Sequence, residues 1–294
     1  MADSAWIGRG GNGYYREWPD SSKPLSIAAT MDSLVRRGAV RPMIIVMPDA
    51  RDRYDGSWYT NSVVIGRWED YFTKDLIIHI DSVYRTIPHA ASRGIAGHSL
   101  GAFGAIKLAM THGDRFGALF AMSPCCVAFT DEFAFDEANW RSTLEVARNG
   151  DANQFKSANR YDWAHFTAAL AFSPDDTASP LRLSWPVAMS GSRLVPIDSI
   201  VRRWTDQTPA TLARQQVASL RRMRGIHLEH GTHEPLANLL AGARMLSDSL
   251  TALGVPHEYA VFEGGHEERI AKSLRERLLP FFSAVLVFDP SIRH

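Results

Sequence analysis

The chain has 294 residues, of which 45% are hydrophobic, so it can bury a large core and is not a disordered chain. Lysine plus arginine and aspartate plus glutamate both number 32, and the formal net charge is zero. No basic surplus therefore indicates a nucleic acid or an anionic membrane as partner, and we expect a small, neutral or weakly charged substrate.

The sequence contains neither a disulfide framework nor an apolar run of membrane-spanning length. Its two cysteines, Cys125 and Cys126, are adjacent and could bridge to each other only with strain, so we expect two buried small side chains. The first residues lack the charged and apolar regions of a secretory leader, and no later stretch approaches the ~18 to 20 apolar residues of a membrane span. These patterns predict a cytoplasmic protein.

The first half of the chain alternates apolar strands with helices. The run from Met43 to Met47, bounded by prolines, predicts a strand buried on both faces of a parallel sheet. After a loop rich in aspartate, glycine and aromatic residues, an apolar stripe predicts a helix from Trp68 to Val83. Next come the end of a short strand at Gly94 to Ala96, a helix from Ala102 to Met110, and a buried strand from Phe116 to Met122.

From about Cys125 to Pro209, residues 125–209, this alternation breaks down. The stretch holds four tryptophans, scattered prolines and short amphipathic pieces such as Tyr161 to Leu170. It predicts a mostly helical insertion over the carboxyl edge of the sheet, where it would form a lid or a pocket wall. An unrelated packing subdomain is the alternative.

The strand and helix alternation returns in the last third. We expect a strand at Gly225 to His230, a helix from Leu236 to Leu253 capped by Gly254, a strand at Glu258 to Phe262, and a final helix around Ile270 to Leu278. Apolar strands that alternate with helices predict a single α/β domain over residues 1–294, with a doubly wound and mostly parallel sheet.

The motif Gly97-His98-Ser99-Leu100-Gly101 lies between one of these strands and its helix. A G-x-S-x-G sequence on a strand-to-helix turn forces the serine into a strained conformation and raises its hydroxyl above the sheet. The N–H of Leu100 would point at the same spot from the helix N-terminus and could bind an oxyanion. The alternative is a structural turn that happens to contain serine.

A serine nucleophile needs a base within hydrogen-bond reach and an acid that orients the base. In this architecture the chain order is serine, acid, histidine, and the acid and the histidine follow later strands. Glu234 follows the strand that ends near His230, and His266 follows the strand that ends near Phe262 through a flexible glycine turn. The sequence therefore predicts a Ser99, Glu234 and His266 triad.

Other side chains compete for these roles. His233 could be the base, although it precedes the acid and shares its loop, while Asp248 or Asp175 could supply the acid. His227, His230 and His233 are spaced by three, which suggests a metal cluster. On a strand, however, residues three apart face opposite sides, so we expect no metal site there.

Several ordered motifs carry a resemblance to a known family. Between Arg41 and His266 the chain resembles the esterase D family of α/β-hydrolases, which includes S-formylglutathione hydrolases, feruloyl esterases and mycolyltransferases. The motifs are MPDARDRYDGSWYTNS, RWEDYFTKDLIIHIDSVYRT, GIAGHSLGAFGAIKLA, GTHEP and ALGVPHEYAVFEGGH. The resemblance implies an α/β-hydrolase fold, Ser99 as nucleophile, His266 as base, and Glu234 in an acid position where many relatives carry aspartate.

The chain departs from these relatives at its front. They have several strands before the MPDA strand, and the last ends in a loop that supplies a second oxyanion donor. Here only the glycine-rich residues 8–13 resemble that loop, so the N-terminal strands look shortened and Arg9 or Gly10 is the best candidate donor. The missing strands would leave Met43 to Met47 close to an unpaired edge, which predicts a homo-oligomer.

Three further residues are expected to contact substrate. Trp58 and Tyr59 lie in the aromatic loop, and His98 lies beside the nucleophile, although His98 could simply shape the turn. The complete prediction is a carboxylic ester hydrolase that works through an acyl-enzyme, needs no metal or organic cofactor, and acts on a small-molecule ester. An acyltransferase of the mycolyltransferase type and a non-catalytic binding protein on the same fold are the alternatives.

Overall fold

The computed structural model describes residues 14–16, 24–128, 136–234 and 237–288. Its strands, in chain order, are β1 (Tyr14–Arg16), β2 (Pro24–Ser26), β3 (Asn61–Ser62), β4 (Gly66–Arg67), β5 (Gly94–His98), β6 (Ala118–Met122), β7 (Val187–Ser190), β8 (Arg193–Pro196), β9 (Gly225–His233) and β10 (Glu258–Gly265).

Its α-helices are α1 (Ile27–Arg36), α2 (Trp68–Asp70), α3 (Leu76–Val83), α4 (Leu100–Thr111), α5 (Glu137–Ala147), α6 (Gln154–Ser157), α7 (Arg160–Phe172), α8 (Asp198–Thr205), α9 (Pro209–Gln215), α10 (Val217–Arg221), α11 (Ala237–Ala252), α12 (Ile270–Ser273) and α13 (Leu279–Val285). Two π-helical turns, Tyr71–Asp75 and Leu274–Leu278, continue the helices on either side of them, and Ala90–Ser92 forms a 3₁₀ turn.

The central sheet contains four parallel strands in the order β10-β9-β6-β5. Its two faces are covered by separate hydrophobic cores, and β6 divides its side chains between them. Leu119 and Ala121 pack in the core that includes α4 and α11. Ala118, Phe120 and Met122 pack in the core that includes α1 and α13. A strand buried on both faces reads as a continuous apolar run, and helices on both faces confirm the predicted doubly wound α/β fold.

The prediction of a buried strand from Met43 to Met47 is wrong. This segment forms no strand, and Ile44, Ile45 and Val46 are exposed by 49%, 37% and 37%. An apolar run becomes a buried strand only where neighbouring strands pair with it. Within the described residues the parallel sheet ends at β5, β1 and β2 pair only with each other, and no strand pairs with this run.

Residues 125–209 contain the helices α5 to α8 and, in addition, the antiparallel hairpin of β7 and β8, which the sequence pattern did not predict. The hairpin turns at Gly191, whose φ of 61° is in the left-handed region. Whether this stretch serves as a lid or pocket wall stays a prediction.

A buried polar network connects α5 to α7. The Thr143 hydroxyl lies 2.8 Å from Asp162 Oδ1 and 2.8 Å from His165 Nδ1. The His165 ring stacks on Trp140 with ring centroids 3.7 Å apart. Burial lowers the pKa of His165 to about 3, against a smaller opposing effect of Asp136, so this imidazole is neutral at physiological pH.

This neutral histidine predicts a loss of stability in mild acid. The unfolded chain binds a proton near pH 6.5 and the folded protein only near pH 3, so stability is lost as pH falls below 6.5. We expect His165 to lower the free energy of unfolding by about 2 kcal/mol between pH 6.5 and pH 5. Urea unfolding at both pH values should show a smaller loss in His165→Asn, whereas an equal loss in variant and wild type would contradict this assignment.

Candidate active site

Ser99 occupies the turn between β5 and α4. Its φ of 52° and ψ of −122° lie in a strained region for a residue with a side chain. Its N–H donates to the Met122 carbonyl at 3.0 Å, which fixes the turn against β6. The predicted strand, turn and helix around G-x-S-x-G are therefore confirmed, and the strain is of the kind that functional sites retain.

Three side chains from separate strand ends meet above the sheet. The Ser99 Oγ atom lies 2.9 Å from Nε2 of His266, and Nδ1 of His266 lies 2.6 Å from Oε2 of Glu234. Because parallel strands place their carboxyl ends at the same edge, the ends of β5, β9 and β10 converge there. The arrangement is a continuous hydrogen-bonded path from a hydroxyl through an imidazole to a carboxylate.

The carboxylate of Glu234 is held on both oxygens. Ser123 donates its hydroxyl to Oε1 at 2.6 Å, and the N–H of Gly231 donates to the same oxygen at 3.2 Å. Burial works to raise the pKa of Glu234, but the hydrogen bonds and charge of His266 and the two donors on Oε1 outweigh it and hold the pKa below its ordinary value. Glu234 is therefore ionised at neutral pH, as an acid that orients a histidine must be.

Gly231 permits the close approach that this geometry needs. A Cβ atom built at Gly231 would lie 2.2 Å from the carbonyl oxygen of Gly264, in the turn that leads to His266. Only glycine leaves room for these two backbone segments to pass so closely. The loops that carry Glu234 and His266 can therefore meet.

His98 packs against His266 and is hydrogen-bonded to its backbone. It is 1% exposed, its Nε2 atom lies 2.8 Å from the His266 carbonyl oxygen, and the two rings are 4.3 Å apart. Burial, followed by the charge of His266, lowers the pKa of His98 well below its ordinary value. A neutral His98 that donates to this carbonyl fixes the backbone of His266, and its buried position does not match the predicted contact with substrate.

Trp58 and Tyr59 are also buried, with 2% and 1% exposure. The Trp58 indole N–H donates to Thr167 at 3.0 Å, and the Tyr59 ring packs where a side chain on Gly104 would stand. Their predicted role in substrate binding does not match these core positions. Aromatic residues in a loop near a candidate nucleophile are typical of a pocket. Here the Trp58 ring contacts α7 and the Tyr59 ring packs against α4.

The sequence pattern indicated neither the buried contacts of Lys107 nor those of Ser123, and of these two residues only Ser123 contacts the hydrogen-bonded path, through Glu234. Lys107 is fully buried in α4 and contacts the Tyr59 carbonyl at 3.3 Å, the Thr60 hydroxyl at 2.5 Å and the Glu69 carboxylate at 3.2 Å. A single charge inside the apolar helix AFGAIKLAM was the available signal. For Ser123, the signal was its place at the end of a buried strand, directly before Pro124.

Among the described residues, nothing accepts a hydrogen bond from the N–H of Leu100, so this group can donate to an oxyanion. Leu100 is the first residue of α4, where N–H groups have no partner within the helix, and no acceptor for it occurs in the described part of the chain. Arg9 and Gly10, the candidates for the second donor, lie outside the described residues, so that part of the prediction stays open.

The competing residues lie elsewhere. His233 is largely exposed and contacts Glu263 at 3.5 Å, and Asp175 bonds to Thr177 within residues 125–209. Asp248 is exposed on α11. His227 contacts Glu258 and Glu229, whereas His230 contacts the Tyr259 hydroxyl. Across the described residues, no group of three or more potential ligands is placed to hold a metal ion.

Comparison with known proteins places the chain in a family. A family model described as "Putative esterase" matches residues 19–278. The chain belongs to this family of esterases, which are carboxylic ester hydrolases. The resemblance to esterase D relatives and the α/β-hydrolase fold are thereby confirmed.

Individual relatives agree with this membership. The esterases MT1326 and Rv1288 from two strains of Mycobacterium tuberculosis are each 27% identical to the chain over 232 residues, which is 78% of this chain. The chain spans 42% of the length of these relatives. A solved ferulic acid esterase is 20% identical with a TM-score of 0.59 and covers 89% of this chain and 77% of its own, which is a likeness of fold.

Within the described residues, no helix has both the length and the apolar character needed to cross a membrane. The predicted cytoplasmic location stays a prediction.

The contact between Ser123 and Glu234 gives a prediction about positioning. Ser123→Ala removes a donor from Oε1 of Glu234, and we expect turnover of an ester substrate to fall about tenfold, because one charge-assisted hydrogen bond contributes roughly 1.5 to 3 kcal/mol. Steady-state kinetics in a double-mutant cycle would test whether Ser123 acts through Glu234. In the Glu234→Ala background the same change should cost almost nothing, and an undiminished cost there would show that Ser123 acts independently of the carboxylate.

Proposed function

We propose that the chain hydrolyses carboxylic esters through an acyl-enzyme on Ser99, with His266 as general base and Glu234 as the acid that orients it. The observation that carries the proposal is the hydrogen-bonded path from the Ser99 hydroxyl to the Glu234 carboxylate, with distances of 2.9 and 2.6 Å. Membership in an esterase family supports the same reaction class.

Acylation starts with the serine hydroxyl. Nε2 of His266 takes the proton as Ser99 Oγ attacks the ester carbonyl. Glu234, which is hydrogen-bonded to Nδ1, stabilises the imidazolium that results. The developing oxyanion accepts a hydrogen bond from the N–H of Leu100. The imidazolium then donates its proton to the departing alkoxide, which leaves as the alcohol.

Deacylation repeats these steps with water as the nucleophile. Neutral His266 removes a proton from a water molecule, the water oxygen attacks the acyl carbon, and the proton returns to Ser99 Oγ as the carboxylic acid leaves. His98 supports both halves because it holds the backbone of His266 through its bond to the carbonyl. The described side chains carry out the proton transfers without a metal or an organic cofactor.

A panel of p-nitrophenyl esters with graded acyl chains, together with a feruloyl ester and a thioester, tests this proposal and ranks substrates. We expect hydrolysis of at least one ester well above the rate without protein. A parallel series with added alcohol or sugar acceptors measures the alternative, in which transfer products replace the free acid. Absence of turnover across the panel, with intact fold, would favour a binding protein instead.

A further inference from the structure

The apolar segment of residues 42–48 exposes large aliphatic side chains to water. The described residues make no backbone hydrogen bond to this segment, and it carries three exposed large aliphatic side chains in a row: Ile44, Ile45 and Val46. Met43 and Met47 are partly buried against the core shared with α1 and α13, which holds the segment in place. An anchored, unpaired and apolar backbone is a template for strand pairing.

The sequence of this segment and its flanks is self-complementary. The stretch reads Arg-Pro-Met-Ile-Ile-Val-Met-Pro-Asp, with Ile45 at its centre. If a second copy runs antiparallel about Ile45, methionine faces methionine, isoleucine faces valine, and proline faces proline. At the two ends, Arg41 of each copy faces Asp49 of the other, so opposite charges meet on both sides of the two-fold axis.

The positions of the prolines select one hydrogen-bonding register. In an antiparallel pair, hydrogen-bonded and non-hydrogen-bonded positions alternate. When Ile45 occupies a hydrogen-bonded position, Met43 and Met47 do so as well, and Pro42 and Pro48 fall at positions that need no N–H donor. The missing N–H groups of the two prolines therefore do not weaken this register.

We propose that two copies of this chain associate through residues 42–48, which pair as antiparallel strands about a two-fold axis at Ile45. The pairing satisfies backbone groups that are open in the described structure and places the three aliphatic side chains beside apolar side chains of the second copy. Asp49 contacts Arg51 of its own chain at 2.8 Å, so in the dimer its carboxylate would be shared between Arg51 and Arg41 of the second copy. The proposal does not depend on the esterase reaction.

Light scattering coupled to size-exclusion chromatography measures the first consequence. The wild-type chain should have twice the 32.7 kDa mass of the single chain. I45K should dissociate it, because two ammonium groups would meet at the axis. V63K is the matched control, since Val63 is an exposed aliphatic residue outside the segment and its substitution should leave the mass unchanged.

A charge exchange and a crosslink test the register. R41D should weaken the dimer, and the double variant R41D/D49R should restore it because opposite charges face each other again. I45C should form a covalent dimer on mild oxidation, because hydrogen-bonded antiparallel partners have Cα atoms about 5.5 Å apart, within disulfide reach. V63C should stay uncrosslinked.

Three outcomes would overturn the proposal. A wild-type chain that is monomeric at every concentration would mean that other residues of the same chain cover the segment. A dimer that survives I45K would place the interface elsewhere. A dimer in which I45C does not crosslink, or in which R41D/D49R restores nothing, would reject the antiparallel register. Unchanged circular dichroism of each variant excludes misfolding as the cause.

Discussion

Ser99→Ala is expected to abolish ester hydrolysis, with a loss of ~10³-fold or more in kcat, because loss of a triad nucleophile costs at least this much. In the proposed mechanism the hydroxyl is the attacking group, and alanine has a smaller side chain that fits the same turn. Steady-state assays on the best ester of the panel measure the effect. The fold should be retained, because the Ser99 backbone bond to Met122 does not involve the side chain.

The control for this variant is its thermal unfolding, which should match that of the wild type. If a folded Ser99→Ala protein kept more than a tenth of the activity, Ser99 would not be the nucleophile. If it lost its activity and its fold together, Ser99→Gly would repeat the test, since glycine accepts a φ of 52° without strain.

His266→Ala should cost a comparable factor, ~10³-fold or more, because no other described group within hydrogen-bond distance of Ser99 Oγ can take its proton. The matched control is His233→Ala, which changes an exposed histidine at the end of β9 and should leave kcat unchanged. Glu234→Gln should cost less than His266→Ala, because it removes orientation and charge but keeps the base.

The reverse pattern would require a different assignment. Activity that survived His266→Ala but vanished in His233→Ala would make His233 the base. An unaffected Glu234→Gln enzyme would move the acid elsewhere, although Asp248 and Asp175 lie apart from this path in the structure.

The central strand β6 could be predicted because it is buried on both faces. Its run, Ala118–Met122, contains only apolar side chains, and Gly117 precedes it. The same signal failed for Met43 to Met47, since an apolar run indicates a tendency to be buried and cannot show whether a neighbouring strand exists. Local sequence does not contain that information.

The candidate triad could also be predicted, because the chain order and the strand ends restrict the choice to a few residues. The residue that positions Glu234 could not be predicted in this way. Ser123 is separated from Glu234 by 111 positions, so only the folded chain brings them together. The burial of Trp58 and Tyr59 could not be predicted either, since aromatic residues near a site suit a pocket and a core equally well.

The most direct test of Ser99 as the nucleophile is covalent labelling with a fluorophosphonate, followed by peptide mass spectrometry. Only a serine activated by a neighbouring base reacts rapidly with this probe. If His266 activates Ser99, we expect a single phosphonylated peptide that contains Ser99, loss of ester hydrolysis in step with labelling, and no adduct in His266→Ala. An adduct on another residue, or an active protein whose Ser99 stays unlabelled, would contradict this assignment.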